Sequence, residues 1–100
     1  MATVSKTLAR TAAATSNTTL YTVPSLTTTV VTDIVVTNTA SSTSNFTLSF
    51  NDIVFAQNVT VGAYDSTVVQ VKQPLAAAQT IKGLASATTV NFHIGGVEIA

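Results

Sequence analysis

Short segments rich in threonine, valine and isoleucine recur along most of the chain, and they constrain the fold more than any other feature. These residue types favour β-strands, and the segments show apolar residues at alternate positions between polar turns. The predicted strands cover residues 18–23, 29–38, 45–50, 53–61, 66–73, 79–85 and 88–99. The pattern predicts an all-β fold, a small antiparallel β-sandwich of about seven strands, either Ig-like or jelly-roll-like.

Helical segments are nearly absent from the sequence. The alanine-rich stretches at 7–14 and 74–80 are shorter than the roughly 12 residues that an isolated helix needs. We therefore interpret residues 1–17 as an extended N-terminal arm and residues 18–100 as a single β-sandwich domain. A chain of 100 residues without cysteine cannot use disulfides to supplement a small core, which leaves oligomerisation as the expected supplement.

Charge excludes several classes of partner. Only 8% of the residues are charged and the formal net charge is zero, so the chain has no basic surface for nucleic acid or an anionic membrane. No stretch approaches the roughly 18 apolar residues of a membrane span. We expect no direct nucleic-acid partner and no membrane partner, and a surface kept soluble by hydroxyl groups.

The predicted strand 29–38 is apolar on both faces. At a period of two, Val30 and Ile34 lie on one face, whereas Val31 and Val35 lie on the other with Asp33 between them. An antiparallel strand with one solvated face would alternate between apolar and polar residues, so something must cover the second face. We favour copies of the same chain or a partner protein. The alternative is a central strand inside a barrel, covered by the N-terminal arm.

The segment NFTLSFNDIVFAQ predicts a hairpin with Asn51 and Asp52 in the loop. Phe50 is then expected to face Ile53, and Leu48 to face Phe55, with all four side chains in the core. A second turn is expected at 62–66, where Gly62 can adopt positive φ. The pair Gly95–Gly96 predicts a bulge or bend in the last strand.

The ionisable residues form no catalytic or metal-binding pattern, so we predict a non-enzymatic protein without cofactor or metal. Asp33 lies among valines and needs a cationic partner, which Lys72, Lys82 or a lysine of a neighbouring subunit could supply. The single histidine, His93, is expected on the outer face of a sheet or at a subunit contact rather than on a metal. Tyr64, in a predicted turn, is a candidate contact residue.

Two segments, YTVPSLTTTVVTDIVVTNTA and VNFHIGGVEI, resemble the small all-β structural proteins of tailed double-stranded DNA bacteriophages. In that family a Val-Pro turn leads into a Val/Ile/Thr strand that ends in Asn-Thr. The resemblance covers roughly residues 18–99, and its central part matches only in pattern. It implies a virion component of the capsid decoration, minor capsid or head-fibre type.

The resemblance implies a homo-oligomer, with a trimer expected because threefold positions recur on icosahedral shells, and the major capsid protein as partner. The expected location is the outer surface of the virion head, after synthesis in the host cytoplasm. The alternative is a tail or fibre component that binds a host-surface glycan. The predicted subunit or capsid interface consists of Val31, Asp33, Val35, Tyr64 and His93.

Overall fold

The computed structural model describes residues 2–100, which form eight strands and no helix. The strands are β1 (Thr3–Ala12), β2 (Thr18–Thr22), β3 (Thr28–Asn38), β4 (Ser44–Phe50), β5 (Ile53–Val61), β6 (Ser66–Leu75), β7 (Thr80–Ala85) and β8 (Val90–Ile99). They make two antiparallel sheets of four strands each. The predicted all-β sandwich is therefore confirmed.

The strand order identifies the sandwich as a jelly roll. Sheet A has the order β1-β8-β3-β6 and sheet B has the order β2-β7-β4-β5. Hydrogen-bonded neighbours include β1 with β8, β2 with β7, β3 with β6 and β4 with β5, so the chain folds as one long antiparallel ribbon that is rolled up. This rolled order distinguishes the jelly roll from the Ig-like alternative.

The N-terminal segment is not an arm, and the expectation of an extended arm over residues 1–17 is wrong. Residues 3–12 form β1, which pairs with β8 from Thr3 opposite Ile99 to Ala12 opposite Asn91. The segment lacks a strong apolar face because β1 is an edge strand whose side chains are largely exposed. Its backbone hydrogen bonds to β8 hold it in the sheet, and they require no particular side chains.

A bulge in β3 changes which valines face the core. Val31 lies opposite Gly96, but Asp33 lies opposite Gly95, so Thr32 is an extra residue in β3 relative to β8. The bulge reverses the alternation: Val31 joins Ile34 on the core face. The sequence-based assignment of Val31 to a subunit or capsid interface is therefore wrong, because its side chain is 0% exposed within the monomer.

The expected irregularity at Gly95–Gly96 is confirmed, although the extra residues belong to the neighbouring strands. In β1, Leu8 is also extra, since Thr7 lies opposite Gly95 and Ala9 opposite Ile94. A Cβ atom on Gly96 would lie 2.5 Å from the Val30 carbonyl oxygen and 2.8 Å from Leu8 Cδ1. The missing side chain thus allows bulges on both sides of β8 at the same level.

The core lies between the sheets and contains one continuous apolar cluster. Phe46 of sheet B and Phe92 of sheet A meet edge to face, with their ring centroids 6.2 Å apart. The largest other fully buried apolar side chains are Ile34, Leu48, Ile81, Ile94, Val23, Val31, Val36, Val61 and Val90. Apart from Met1, which lies outside the described residues, most large apolar side chains are in this cluster or packed against it.

The β4–β5 hairpin confirms the turn but not the full register. Asn51 and Asp52 both have positive φ, 50° and 66°, as a two-residue type I′ turn requires, and Phe50 faces Ile53. Two register shifts follow in β5, so Leu48 lies opposite Ala56 instead of Phe55. The expectation that all four residues lie in the core is wrong, because Ile53 is 73% exposed.

Asn38 is the buried polar centre of one end of the sandwich. The two hydrogens of its amide nitrogen are shared among the carbonyl oxygens of Ser42 at 2.7 Å, Gly62 at 3.2 Å and Val61 at 3.4 Å. Its amide oxygen accepts from the backbone N–H of Ala40 at 3.1 Å. Because Asn38 is 0% exposed, no water can replace these bonds, and this one side chain connects the β3–β4 loop to the β5–β6 connection.

Leu26, in the β2–β3 loop, combines two unfavourable features. It is 92% exposed, and its φ of 56° lies in the left-handed region. We expect Leu26→Asn to stabilise the chain by about 1 kcal/mol, because asparagine tolerates this conformation better than leucine. Urea unfolding measures the change, with Leu26→Ala as the control. Alanine also removes the exposed leucine side chain but lacks the local hydrogen bonding that lets asparagine adopt this conformation, so an equal gain in that control would contradict a backbone origin.

Candidate interaction surface

The solvent side of sheet A, called here the outer face, carries an apolar stripe along its two central strands. The cross-strand pairs place Val30 beside Val97, and Val35 beside His93. Ile99 continues the stripe on β8. These side chains are only partly buried, since the described residues include no second layer over this face. The second apolar face expected for residues 29–38 therefore exists, but Val30 and Val35 form it, with Val31 turned inward.

Three of the five predicted interface residues come together on this outer face. Asp33, Val35 and His93 lie on neighbouring strands, with Val35 directly opposite His93 and Asp33 opposite Gly95. Arg10 of β1 lies opposite His93 on its other side. Assigning residues 1–17 to an arm hid Arg10 from the sequence analysis, and the Gly95–Gly96 pair was the signal that could have revealed the reversed alternation.

Tyr64 lies apart from the outer-face group, in the β5–β6 loop beyond the end of both sheets. It is 75% exposed and has a φ of 53°, and its backbone N–H donates to the Ala40 carbonyl oxygen at 3.0 Å. The positive φ that was expected at Gly62 occurs at Tyr64 instead. The Asp65 carboxylate accepts from the backbone N–H of Ser66 at 2.8 Å, so this acid stabilises the turn.

Asp33 has no cationic partner in the described part of the chain. The two ion pairs within residues 2–100 are Lys6–Glu98 at 3.3 Å and Lys82–Asp52 at 2.7 Å. Asp33 accepts a hydrogen bond only from Thr32 Oγ1, at 3.3 Å. Its expected pairing with Lys72 or Lys82 is therefore not found, and its carboxylate lies over Gly95, where a Cβ atom would be 2.7 Å from Asp33 Oδ1.

A smaller apolar groove lies between the edge strands of the two sheets. Phe50 and Phe55 stack there, with ring centroids 4.2 Å apart. Ile53, Val71 and Gln73 complete its lining. The groove has no charged residue, and two of its apolar side chains, Ile53 and Phe55, are exposed.

A polar cluster joins the two sheets at the end that holds β8's last residues. Tyr21 of β2 donates to Glu98 Oε2 at 2.5 Å and shares a hydrogen bond of 2.8 Å with Thr29. Burial, with the hydrogen bond to Glu98, raises the pKa of Tyr21 to about 12. The same hydrogen bond, with a smaller contribution from Lys6, lowers the pKa of Glu98 below its ordinary value of 4.5.

This cluster predicts alkaline destabilisation. Because the pKa of Tyr21 is about 12 in the folded chain and near 10.0 when unfolded, its contribution is complete below pH 10 and is lost between pH 10 and 12. Because Tyr21 is only partly buried, solvent screening reduces this contribution to about 1 kcal/mol, below the full value of a two-unit difference. Tyr21→Phe should therefore flatten the fall in unfolding free energy above pH 10, measured by urea unfolding. Tyr64→Phe, at an exposed tyrosine, should leave that fall unchanged; the opposite ranking would contradict the assignment.

Acid should act on the other member of the pair. A carboxyl group whose folded pKa is lowered stabilises the fold above its unfolded pKa, and this contribution is lost as pH falls through the folded value. Glu98 therefore contributes at neutral pH and ceases to do so well below pH 4.5. Because Tyr21 lies on sheet B and Glu98 on sheet A, the hydrogen bond between them connects the two sheets.

Within residues 2–100, no three side chains of His, Asp or Glu are grouped so that they could hold a metal ion. The described chain also has no helix of sufficient length and apolarity to cross a membrane.

Comparisons of the chain with protein-family models, with curated proteins and with solved structures found no match.

Proposed function

We propose that this chain is a non-enzymatic structural protein of a bacteriophage virion, a capsid decoration or minor capsid protein that binds the major capsid protein and assembles as an oligomer. The observation that carries the proposal concerns the two segments with the family resemblance. One contains the end of β2 and all of β3, the other is β8, and β3 and β8 pair along ten residues in the centre of sheet A. The segments with the resemblance therefore build the apolar outer face.

The fold and the surface chemistry support the proposal. Jelly rolls are common in viral capsid proteins, although they also occur in lectins and enzymes, so the surface must carry the argument. A structural subunit needs apolar area for its neighbours and little charge to desolvate. The outer face meets this requirement, with Val30, Val35, Val97 and Ile99 around few charged groups.

The alternative is a tail or fibre protein that binds a host-surface glycan. The groove with the Phe50–Phe55 stack favours it, because sugars bind to exposed aromatic rings. Gln73 is the one residue with a polar side chain in that lining, however, and a glycan site needs several hydrogen-bonding groups. We therefore rank this alternative second.

Electron microscopy of purified virions, labelled with gold-conjugated antibodies against this chain, tests the proposal. Gold distributed over the head is the expected result. Gold confined to the tail or fibres would favour the glycan-binding alternative. Virions without gold, from a lysate in which the antibody detects the chain, would show that it is not a virion component.

A further inference from the structure

The outer faces of the two sheets differ in character, because an apolar cross-strand pair lies on the central strands of sheet A but not on those of sheet B. On sheet B, Val54 and Leu84 lie among hydroxyl-bearing or charged residues, such as Lys82 opposite Ser49 and Thr22 opposite Thr80. On sheet A the central strands present the Val30–Val97 pair, Ile99 and Val35. A hydroxyl-rich face is readily solvated, whereas an apolar stripe gains free energy when another surface covers it.

The outer face of sheet A also has charges of both signs: Arg10 and Asp33 are in no ion pair within the described residues, and Lys72 of β6 lines the same depression as Asp33 without pairing with it. Among the side-chain hydrogen bonds, Arg10 donates only to the Thr7 hydroxyl, at 3.4 Å, and Asp33 accepts only from the Thr32 hydroxyl. They lie on the two strands that flank β8, Arg10 on β1 beside His93 and Asp33 on β3 beside Gly95. A half-turn about a line along β8 exchanges the positions of these flanking strands.

That half-turn creates charge complementarity between two copies. It places β1 of one copy over β3 of the other, so Arg10 comes to the level of Val35, two residues or roughly 7 Å along the strand from Asp33. The long arginine side chain can span this distance between sheets packed about 10 Å apart. By symmetry the contact occurs twice, and the β8 strands meet at the axis, where Val97 and Ile99 of one copy face the same residues of the other.

The overlapping area is sufficient for a specific contact. Strands β1, β8 and β3 are 10, 10 and 11 residues long. At about 4.8 Å between strands and about 3.3 Å per residue, they present roughly 500 Å² in projection on each copy. Two copies then bury about 1,000 Å², which is the smallest area expected of a biological interface.

We propose that the outer face of sheet A binds the same face of a second copy of this chain, around a two-fold axis along β8 and with reciprocal Arg10–Asp33 contacts. This inference does not depend on the proposed virion function, because its test uses the purified chain alone. It specifies a two-fold interface in place of the trimer that the family resemblance implied. A trimer would need two different complementary patches, and this face is complementary to itself.

Sedimentation of the purified chain between about 1 μM and about 1 mM tests the proposal, with thermal melting to verify folding. A concentration-dependent dimer is expected.

Arg10→Glu alone and Asp33→Arg alone should each weaken the dimer roughly tenfold, because both create like-charge contacts twice per dimer. The double exchange R10E/D33R should restore wild-type affinity within about threefold. Lys82→Glu, which changes the net charge as Arg10→Glu does but lies on sheet B, is the matched control and should dimerise like wild type.

Three results would overturn the proposal. A wild-type chain that stays monomeric at every concentration would leave the face to another kind of protein, and a trimer would exclude the two-fold axis. A double exchange that folds but stays as weak as the single variants would show that Arg10 and Asp33 do not meet. None of these results bears on gold labelling of virions, so failure here and failure of the proposed function are distinguishable.

Discussion

Val31→Lys should destabilise the chain by more than about 4 kcal/mol, whereas Val35→Lys, four residues along the same strand, should cost about 1 kcal/mol or less. Val31 is 0% exposed and packs in the core cluster, so a lysine there must bury a charge or displace the sheets. Val35 lies on the outer face opposite His93, where a lysine side chain can extend into water. A domain of this size has a total stability of only about 5 to 15 kcal/mol.

Urea unfolding of the two variants beside the wild type measures this difference, at a concentration low enough to keep each chain monomeric. Val35→Lys serves as the matched control, since it makes the same chemical change on the same strand. Nearly equal costs for the two variants would contradict the bulge at Thr32, because uninterrupted alternation puts Val31 and Val35 on one face. A severe loss in Val35→Lys alone would reverse the assignment of the two faces.

The different environments of Val31 and Val35 also explain why the sequence predicted the strands better than the faces on which their side chains lie. Strand existence depends on local composition and alternation, which the chain shows clearly, and the predicted strands from residue 18 onward match the observed ones closely. Which face of the sheet a side chain occupies, however, depends on strict alternation along the whole strand. One extra residue at Thr32 was enough to move Val31 from the expected interface into the core.

The N-terminal strand shows a different limit. Its sequence, TVSKTLARTA, includes two cations and no strong apolar face, which is typical of an exposed segment. An edge strand needs only backbone partners, and β8 provides them, so composition could not distinguish the strand from an arm. Arg10 was consequently missed as a neighbour of His93. Asp33, Val35 and His93 could be predicted as surface residues because each interrupts or extends an apolar pattern.

The buried amide of Asn38 provides the second large effect: Asn38→Asp should cost about 3 to 5 kcal/mol at pH 7. The amide nitrogen shares its two hydrogens among the carbonyl oxygens of Ser42, Val61 and Gly62, and a carboxylate oxygen in its place would face the same acceptors without a proton. An unsatisfied buried group costs about 1 to 3 kcal/mol, and a charged one costs more. The loss should reach the whole fold, since Asn38 connects loops at one end of both sheets.

The pH dependence of this loss of stability distinguishes a buried charge from a poor fit of the new side chain. In the Asn38→Asp variant the introduced side chain would be destabilised as a carboxylate, so its folded pKa would be raised above the unfolded value of about 3.9. The penalty is then complete above the folded pKa and declines as pH falls toward 4, because the protonated acid again has one O–H to donate.

Asn45→Asp, the same chemical change at an exposed position of β4, should stay within about 0.5 kcal/mol at either pH. Unfolding free energies at pH 7 and pH 4 for both variants and the wild type measure the effect. If Asn38→Asp loses no more than Asn45→Asp, the amide does not hold the loops together, and if its loss is independent of pH, the cause is misfit rather than a buried charge.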